Sequence, residues 1–142
     1  MAKILVVVDM QNDFIDGALG TPEAVKIVPY VKEVIEGFDG KVFFTRDTHF
    51  ENYMDTAEGK KLPVKHCIKG TPGWELDAAI VRALEGKPYT PVEKLTFGSV
   101  TLPELIRKAA GEEDFTVTLL GLCTDICVVS NAVVLQSKYP EA

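Results

Sequence analysis

The sequence predicts an α/β fold with three layers, α/β/α, built around a mostly parallel sheet. Short apolar runs alternate with segments of helical periodicity, which is the pattern of repeated βαβ units. The apolar run Ile4–Val8 is continuous, as expected for a strand buried on both faces. A chain of 142 residues is long enough for one domain with a core and too short for two. We therefore predict a single domain over residues 1–142.

The other elements follow from local patterns. Thr21-Pro22-Glu23 is typical of a helix start, with a cap, a proline at the first position and an acidic first turn, and helical spacing continues to about Gly37. The remaining predicted elements are strands at Lys41–Thr45, Tyr89–Glu93 and Phe115–Leu120, helices at Trp74–Leu84 and Leu102–Ala110, and a last helix capped by Thr124 or Asp125 that runs to about Gln136. A long polar stretch extends from Arg46 to Gly73. A doubly wound domain normally adds a further strand and helix after the last of these elements, so we expect a fold that is short at its C-terminus.

Composition narrows the classes of partner. Hydrophobic residues make up 46% of the chain and charged residues 25%, an ordinary globular balance. The net charge of −6 argues against nucleic acid or an anionic membrane surface as a partner. No apolar run approaches the roughly 18 residues that a membrane span needs. No export signal is recognisable, so we expect a cytoplasmic protein whose three cysteines are free thiols.

Chemically capable residues follow all four predicted strands. In parallel sheets, ligands bind outside the carboxyl ends of the strands. This rule selects Asp9, Asp47 with His49, Lys94, and the turn Thr124–Cys127. The carboxyl edge of the sheet is therefore the predicted site.

Cys127 is the first candidate for a catalytic group. It falls in the first turn of a predicted helix, where unpaired N–H groups and the helix dipole favour a thiolate. The alternative is a small buried apolar residue, because two valines follow. Asp9 could accept the thiol proton, or it could merely cap the next loop. Lys94 could stabilise negative charge in the crevice, or it could be an ordinary surface charge.

The polar stretch contains the only two histidines of the chain, His49 and His66. Together with Asp47 they could form an open site for zinc or another divalent ion. Glu58 is a possible fourth ligand. The alternative is that these residues are solvated polar groups of a loop.

Four segments resemble the nicotinamidase/isochorismatase-like cysteine hydrolases, in the order in which that family has them. The most specific are the opening Asp-Met-Gln-Asn-Asp-Phe and the later Gly-x-x-Thr-Asp-x-Cys. The segments are Val7–Phe14, Thr45–His49, His66–Gly73 and Gly121–Val128. The resemblance implies the isochorismatase-like hydrolase fold.

The resemblance also implies the site. It gives Asp9, Lys94 and Cys127 as a catalytic triad, with a cis peptide bond before Cys123 and an oxyanion hole formed by the N–H groups of Cys123 and Cys127. Phe14 and Leu122 are implied to contact the substrate. Asp47, His49, His66 and, in some members, Glu58 are the implied ligands of a divalent metal, zinc first, with manganese and iron as alternatives.

The implied reaction is the hydrolysis of a small amide through a thioester, and nicotinamide, as a step of NAD salvage, is the preferred substrate. Alternatives are another hydrolase of the family, acting on a carbamoyl compound or a vinyl ether, and a non-catalytic flavodoxin-like binding domain. Family members often have Trp-Pro before the metal-binding histidine, whereas this chain has Leu62-Pro63. Trp74 is a candidate to supply the aromatic wall instead. A homo-oligomer is a further possibility that the family suggests.

Overall fold

The computed structural model describes residues 1–142 and contains a four-stranded, fully parallel sheet in the order β3-β2-β1-β4. The strands are β1 Ala2–Val8, β2 Lys41–Asp47, β3 Tyr89–Lys94 and β4 Phe115–Gly121. The helices are α1 Asn12–Ile15, α2 Pro22–Gly37, α3 Ala57–Lys61, α4 Ala78–Leu84, α5 Leu102–Ala110 and α6 Val129–Lys138. A 3-10 turn at Tyr53–Asp55 precedes α3, and a π-helical turn at Thr124–Val128 leads into α6.

Helices cover both faces of the sheet. Leu5 and Val7 of β1 pack with α2 and α4, whereas Ile4 and Val6 pack with α5 and α6 on the opposite face. Alternate residues of β1 thus enter two separate cores, which explains its unbroken apolar sequence. The predicted three-layer α/β/α fold with a parallel sheet is confirmed. None of the helices is both long enough and apolar enough to cross a bilayer.

Strand register aligns the residues of the predicted site. Val8, the last residue of β1, pairs with Thr45 on one side and with Gly121 on the other. Asp47 pairs with Lys94 where β2 and β3 end. Gly121 has a φ of +129°, and a Cβ at this position would collide with the Val8 carbonyl oxygen. A glycine therefore allows the chain to leave β4 close against the end of β1.

Two predicted helix starts differ from the structure. The helix predicted from Trp74 begins at Ala78, because Leu76 forms an antiparallel bridge with Gln11 and the Asp77 carboxylate caps the helix by accepting the Ala79 N–H. At the last helix, Cys123 occupies the cap position and no side chain caps the first turn. The predicted cap by Thr124 or Asp125 is wrong. By contrast, Thr21 caps α2 as predicted.

Candidate active site

The carboxyl edge of the sheet brings Asp9, Lys94 and Cys127 into contact. The Lys94 ammonium lies 2.7 Å from Asp9 Oδ2 and 3.5 Å from Cys127 Sγ. All three residues are buried: Asp9 is 0%, Lys94 3% and Cys127 4% exposed. A buried lysine needs a partner that compensates its charge, and Asp9 supplies one. Lys94 is therefore not the surface charge that its sequence context alone allowed.

The Asp9 carboxylate is held by β2. Its Oδ1 accepts a 2.6 Å hydrogen bond from the Thr45 hydroxyl, while its backbone N–H donates to the same hydroxyl oxygen. Oδ2 has no hydrogen-bond donor other than the neighbouring ammonium. One oxygen thus fixes the carboxylate and the other faces Lys94.

Burial and mutual charge determine the protonation of these groups. Burial raises the pKa of Asp9, and the charge of Lys94 opposes this shift. Burial would lower the pKa of Lys94, but the charges of Asp9 and Asp47 outweigh it and raise that pKa, so the ammonium stays charged. The pKa of the Cys127 thiol is raised, mainly by burial and then by the charge of Asp9.

The raised pKa of Cys127 favours the neutral thiol. Burial and the nearby Asp9 carboxylate shift the pKa of Cys127 upward, opposite to the direction expected from a helix start alone. A neutral thiol needs a base before it can act as a nucleophile. Asp9, with its raised pKa and an oxygen that accepts no other hydrogen bond, has the chemistry of such a base.

Beside the triad lies a cluster of four potential metal ligands, Asp47, His49, Glu58 and His66. Asp47 Oδ2 lies 2.9 Å from His49 Nε2 and 3.4 Å from His66 Nε2. Glu58 Oε2 lies 3.2 Å from the same His49 nitrogen. Two ligand atoms on one ion, each at about 2.0–2.2 Å, are at most about 4 Å apart, so these pairs have the spacing of a shared ion.

The donor chemistry of the cluster also fits a divalent metal. The His66 Nδ1–H donates to the Val64 carbonyl at 2.7 Å, which leaves the Nε2 lone pair for a ligand. Glu58 Oε2 is buried and accepts no well-aligned hydrogen bond. Burial would raise the pKa of Asp47, but the neighbouring His49 and His66 imidazoles and the charge of Lys94 hold it far below its usual value. The cluster thus has an ionised carboxylate and a buried oxygen that a cation would satisfy.

Two residues of the opening segment, which the sequence analysis did not single out individually, fix this cluster. The amide of Gln11 accepts the Asp47 N–H at 2.8 Å and donates to the Asp47 and Trp74 carbonyls. The Asp13 carboxylate accepts the Cys67 N–H at 2.8 Å, next to His66. Both residues belong to the Asp-Met-Gln-Asn-Asp-Phe opening, and the resemblance of that opening to the family was the sequence signal that could have identified them.

A cavity of about 240 Å³ is lined by Cys127 on one side and by three residues of the ligand cluster, Asp47, Glu58 and His66, on the other. Its lining residues are Phe14, Leu19, Asp47, Glu58, Leu62, His66, Phe97, Cys123, Ile126 and Cys127. The cavity is mostly apolar. Its carboxylates and imidazole belong to the ligand cluster, and its two thiols belong to Cys123 and Cys127, which follow β4. A small, flat, uncharged molecule matches such a lining.

Only some of the predicted contact residues line the cavity. Phe14 does, with its ring 5.5 Å from that of His66. Leu122 does not line it and instead packs against the small core around Cys67. Trp74 is also outside it, because its indole donates to the Thr48 hydroxyl and stacks on Arg46, 3.9 Å from the ring centroid. Phe97, which the sequence analysis missed, contributes the second aromatic side chain.

The peptide bond between Leu122 and Cys123 is cis, as the resemblance implied. The Cys123 N–H makes no hydrogen bond within the chain. The Cys123 residue itself lines the cavity, as Cys127 does.

Comparison with known proteins agrees with this geometry. The family model of the isochorismatase domain matches residues 3–136. The chain belongs to the isochorismatase family. The structure of N-carbamoylsarcosine amidase from Thermoplasma acidophilum has 34% sequence identity and a TM-score of 0.81, covering 97% of this chain and 78% of that one.

Two further members of the isochorismatase family are similar over most of the chain. Nicotinamidase/pyrazinamidase of Bacillus subtilis has 32% identity and a TM-score of 0.75, covering 97% of this chain and 80% of its own. Pyrazinamidase of Pyrococcus horikoshii, solved in complex with zinc, has 29% identity and a TM-score of 0.74, covering 94% and 77%.

Proposed function

We propose that this isochorismatase-family protein is a cysteine amidohydrolase, most simply a nicotinamidase that converts nicotinamide and water to nicotinate and ammonia. The observation that carries the proposal is the buried contact of Lys94 with both Asp9 and Cys127, of which Cys127 lines the cavity. Burying three ionisable side chains in contact costs folding free energy. Such clusters are typical of functional sites, where the groups act on a substrate.

In the proposed first step, Asp9 Oδ2 accepts the proton of the Cys127 thiol. The thiolate attacks the amide carbonyl carbon, and the charge that develops on the carbonyl oxygen is stabilised by the N–H groups of Cys123 and Cys127. The Lys94 ammonium stabilises the thiolate, which explains why a raised thiol pKa does not prevent attack once Asp9 has taken the proton. Asp9 then returns the proton to the amide nitrogen, and ammonia leaves.

In the second step, water hydrolyses the thioester. Asp9 accepts a proton from the attacking water, and the Cys127 sulfur leaves as the thiolate and is reprotonated. Asp9 passes that proton on to the sulfur, and the carboxylic acid product gives its own proton to the released ammonia, so the overall reaction consumes one water and yields nicotinate and ammonium. The same carboxylate acts as base in both steps, which requires it to be ionised at the start of each.

We propose that Asp47, His49, Glu58 and His66 hold a divalent metal, zinc first, with manganese and iron as alternatives. When bound, such an ion supplies a Lewis acid that can hold the ring nitrogen of the substrate and so orient the amide toward Cys127. The solved complex of a similar pyrazinamidase with zinc supports zinc as the first choice of metal. Phe14 and Phe97 would contact the ring.

A carbamoyl compound such as N-carbamoylsarcosine is the second candidate substrate. Two observations favour it: the similarity to the amidase of Thermoplasma acidophilum, and the aliphatic Leu62 at a position where related nicotinamidases often have tryptophan. The metal-ligand set favours nicotinamide, because a ring nitrogen is the ligand that such an ion would orient.

Substrate choice can be tested by measuring ammonia release after incubation with Zn²⁺, Mn²⁺ or Fe²⁺. We expect nicotinamide and pyrazinamide to be hydrolysed with kcat in the ordinary range of about 1–10³ s⁻¹, and N-carbamoylsarcosine at least about tenfold more slowly. Hydrolysis of the carbamoyl compound alone would favour the second candidate. Absence of ammonia from all three amides with every metal would contradict the amidohydrolase proposal for these substrates.

The role of the metal can be tested separately. We expect chelation, or His49→Ala, to raise the KM for nicotinamide or abolish its turnover, while iodoacetamide still alkylates Cys127 at its original rate. The reason is that the thiol has its own base in Asp9, so the metal need not activate it. Glu51→Ala, which removes an exposed carboxylate next to the site, is the control and should change neither quantity. If chelation slows alkylation strongly, the metal tunes the nucleophile; if turnover is unaffected, the cluster is not a metal site.

A further inference from the structure

Asn131 of α6 is a fully buried polar side chain that the proposed chemistry does not use. Its Oδ1 accepts the Ser99 N–H at 2.8 Å. Its Nδ2 donates to the Cys127 carbonyl at 2.8 Å and to the Phe97 carbonyl at 3.3 Å. Three hydrogen bonds satisfy the amide, so its burial is compensated.

These bonds join two walls of the cavity. Phe97 belongs to the segment between Lys94 and α5, whereas Cys127 belongs to the π-helical turn before α6. Both residues line the cavity. The side chain of Asn131 is thus a direct connection between the backbone of the aromatic wall and the backbone of the proposed nucleophile.

The segment around Phe97 packs closely on α6. A Cβ added at Gly98 would lie 3.2 Å from the Ser130 carbonyl oxygen and 3.2 Å from a Val134 methyl group. The Ser99 hydroxyl accepts the Leu102 N–H, which ties the end of this segment to the start of α5. At the other end, the Lys94 ammonium donates to the Thr96 carbonyl at 3.1 Å.

We propose that Asn131 is a positioning residue that sets the distance between the Phe97 wall and Cys127, and so determines how tightly a flat substrate is held beside the thiol. An apolar side chain at position 131 could fill the space, but it could not form hydrogen bonds to the backbone groups of Phe97, Ser99 and Cys127. The amide is also the only side chain that bonds to the backbone of both Phe97 and Cys127. This inference deepens the proposed amidase function and rests on it for its kinetic part only.

The experiment compares wild type with Asn131→Ala. We expect the KM for nicotinamide to rise about tenfold or more, with a smaller change in kcat, because displacement of a binding wall by about an ångström weakens substrate positioning. Alkylation of Cys127 is followed by tandem mass spectrometry with iodoacetamide and with the bulkier N-phenyliodoacetamide. We define the rate ratio as the alkylation rate with N-phenyliodoacetamide divided by the rate with iodoacetamide. This ratio should rise at least about threefold, because a displaced wall gives the larger reagent more room.

Gln136→Ala is the matched control. Gln136 is an exposed amide on the same helix that donates to the Pro140 carbonyl, away from the cavity, so KM and the rate ratio should not change. If Asn131→Ala lowers only Tm and leaves KM and the ratio at wild-type values, Asn131 is merely structural and the proposal is overturned.

Gly98→Ala tests the same contact from the loop side and replaces Asn131→Ala if that variant does not fold. Its added methyl pushes the Phe97 segment from α6 while Asn131 remains. It should raise KM and the ratio in the same direction, and unchanged values would overturn the proposal. If wild type does not hydrolyse nicotinamide, the proposed substrate fails, but the alkylation ratio still decides the role of Asn131.

Discussion

Replacing Cys127 with alanine should reduce nicotinamide hydrolysis by at least about 10⁴-fold, because Cys127 is the cavity thiol that contacts the Lys94 ammonium, at 3.5 Å. The alanine removes one buried sulfur atom and leaves the ion pair of Asp9 with Lys94 in place, so the protein should stay folded. Ammonia release measures activity, and circular dichroism checks the fold.

Cys67→Ala is the matched control for this variant. Cys67 is as deeply buried as Cys127 but does not line the cavity, and burial raises its pKa. This variant should lose some stability and retain activity within a few-fold. Residual activity of Cys127→Ala within tenfold of wild type would show that another nucleophile, such as the Cys123 thiol or a water molecule, attacks the amide.

Asp9→Asn should lower kcat by about 10²-fold or more, the usual size for loss of a general base. Asparagine keeps the shape of aspartate but cannot accept the thiol proton, and burial, the main cause of the raised pKa of Cys127, persists in the variant. The variant also leaves the Lys94 ammonium without its closest counter-charge, so Tm must be measured beside kcat. A kcat within tenfold of wild type would remove Asp9 from the mechanism.

Thr45→Val alters Asp9 indirectly and should affect activity less than Asp9→Asn. The Thr45 hydroxyl donates to Asp9 Oδ1 and thereby favours the ionised carboxylate. Without this donor the pKa of Asp9 rises further. Since the base must be ionised, activity is lost as pH falls through this pKa, and the acid limb of kcat/KM should move to higher pH. An acid limb at the wild-type position would mean that it does not report Asp9.

The chemical groups of the site were predictable because strand ends are easy to recognise. β1 is a continuous apolar run, and the carboxyl ends of all four parallel strands share one edge of the sheet, so Asp9, Asp47 and Lys94 were expected there from sequence alone. The four ligand residues could be named because the polar stretch contains both histidines of the chain. Their convergence on one point could only be expected through the family resemblance.

The cavity walls were less predictable, because they depend on how loops pack. Trp74 was a reasonable candidate for an aromatic wall, yet its indole finds a partner in Thr48 and a stacking surface in Arg46. Phe97 lies in an irregular segment without periodicity, and its position depends on a hydrogen bond to Asn131, which is 34 residues away. A contact of this range leaves no local signal in the sequence.

The start of the last helix was predicted wrongly for a related reason. Thr124 and Asp125 have the side chains of typical caps, but the chain enters the π-helical turn through Cys123, whose carbonyl accepts the N–H groups of Ile126 and Val128. Capping preferences describe ordinary α-helices and do not anticipate a turn with wider hydrogen bonding.

The placement of the strand ends has a consequence for how this protein can evolve. Asp9, Asp47 and Lys94 are attached to the sheet, where a substitution disturbs two packed cores, whereas Leu19, Leu62 and Phe97 are attached to loops. Mutations can therefore accumulate in the loop residues, and change which amide is accepted, without altering the bond-breaking groups. A lineage can exchange one substrate for another through a few loop changes, so functional divergence should be faster than structural divergence.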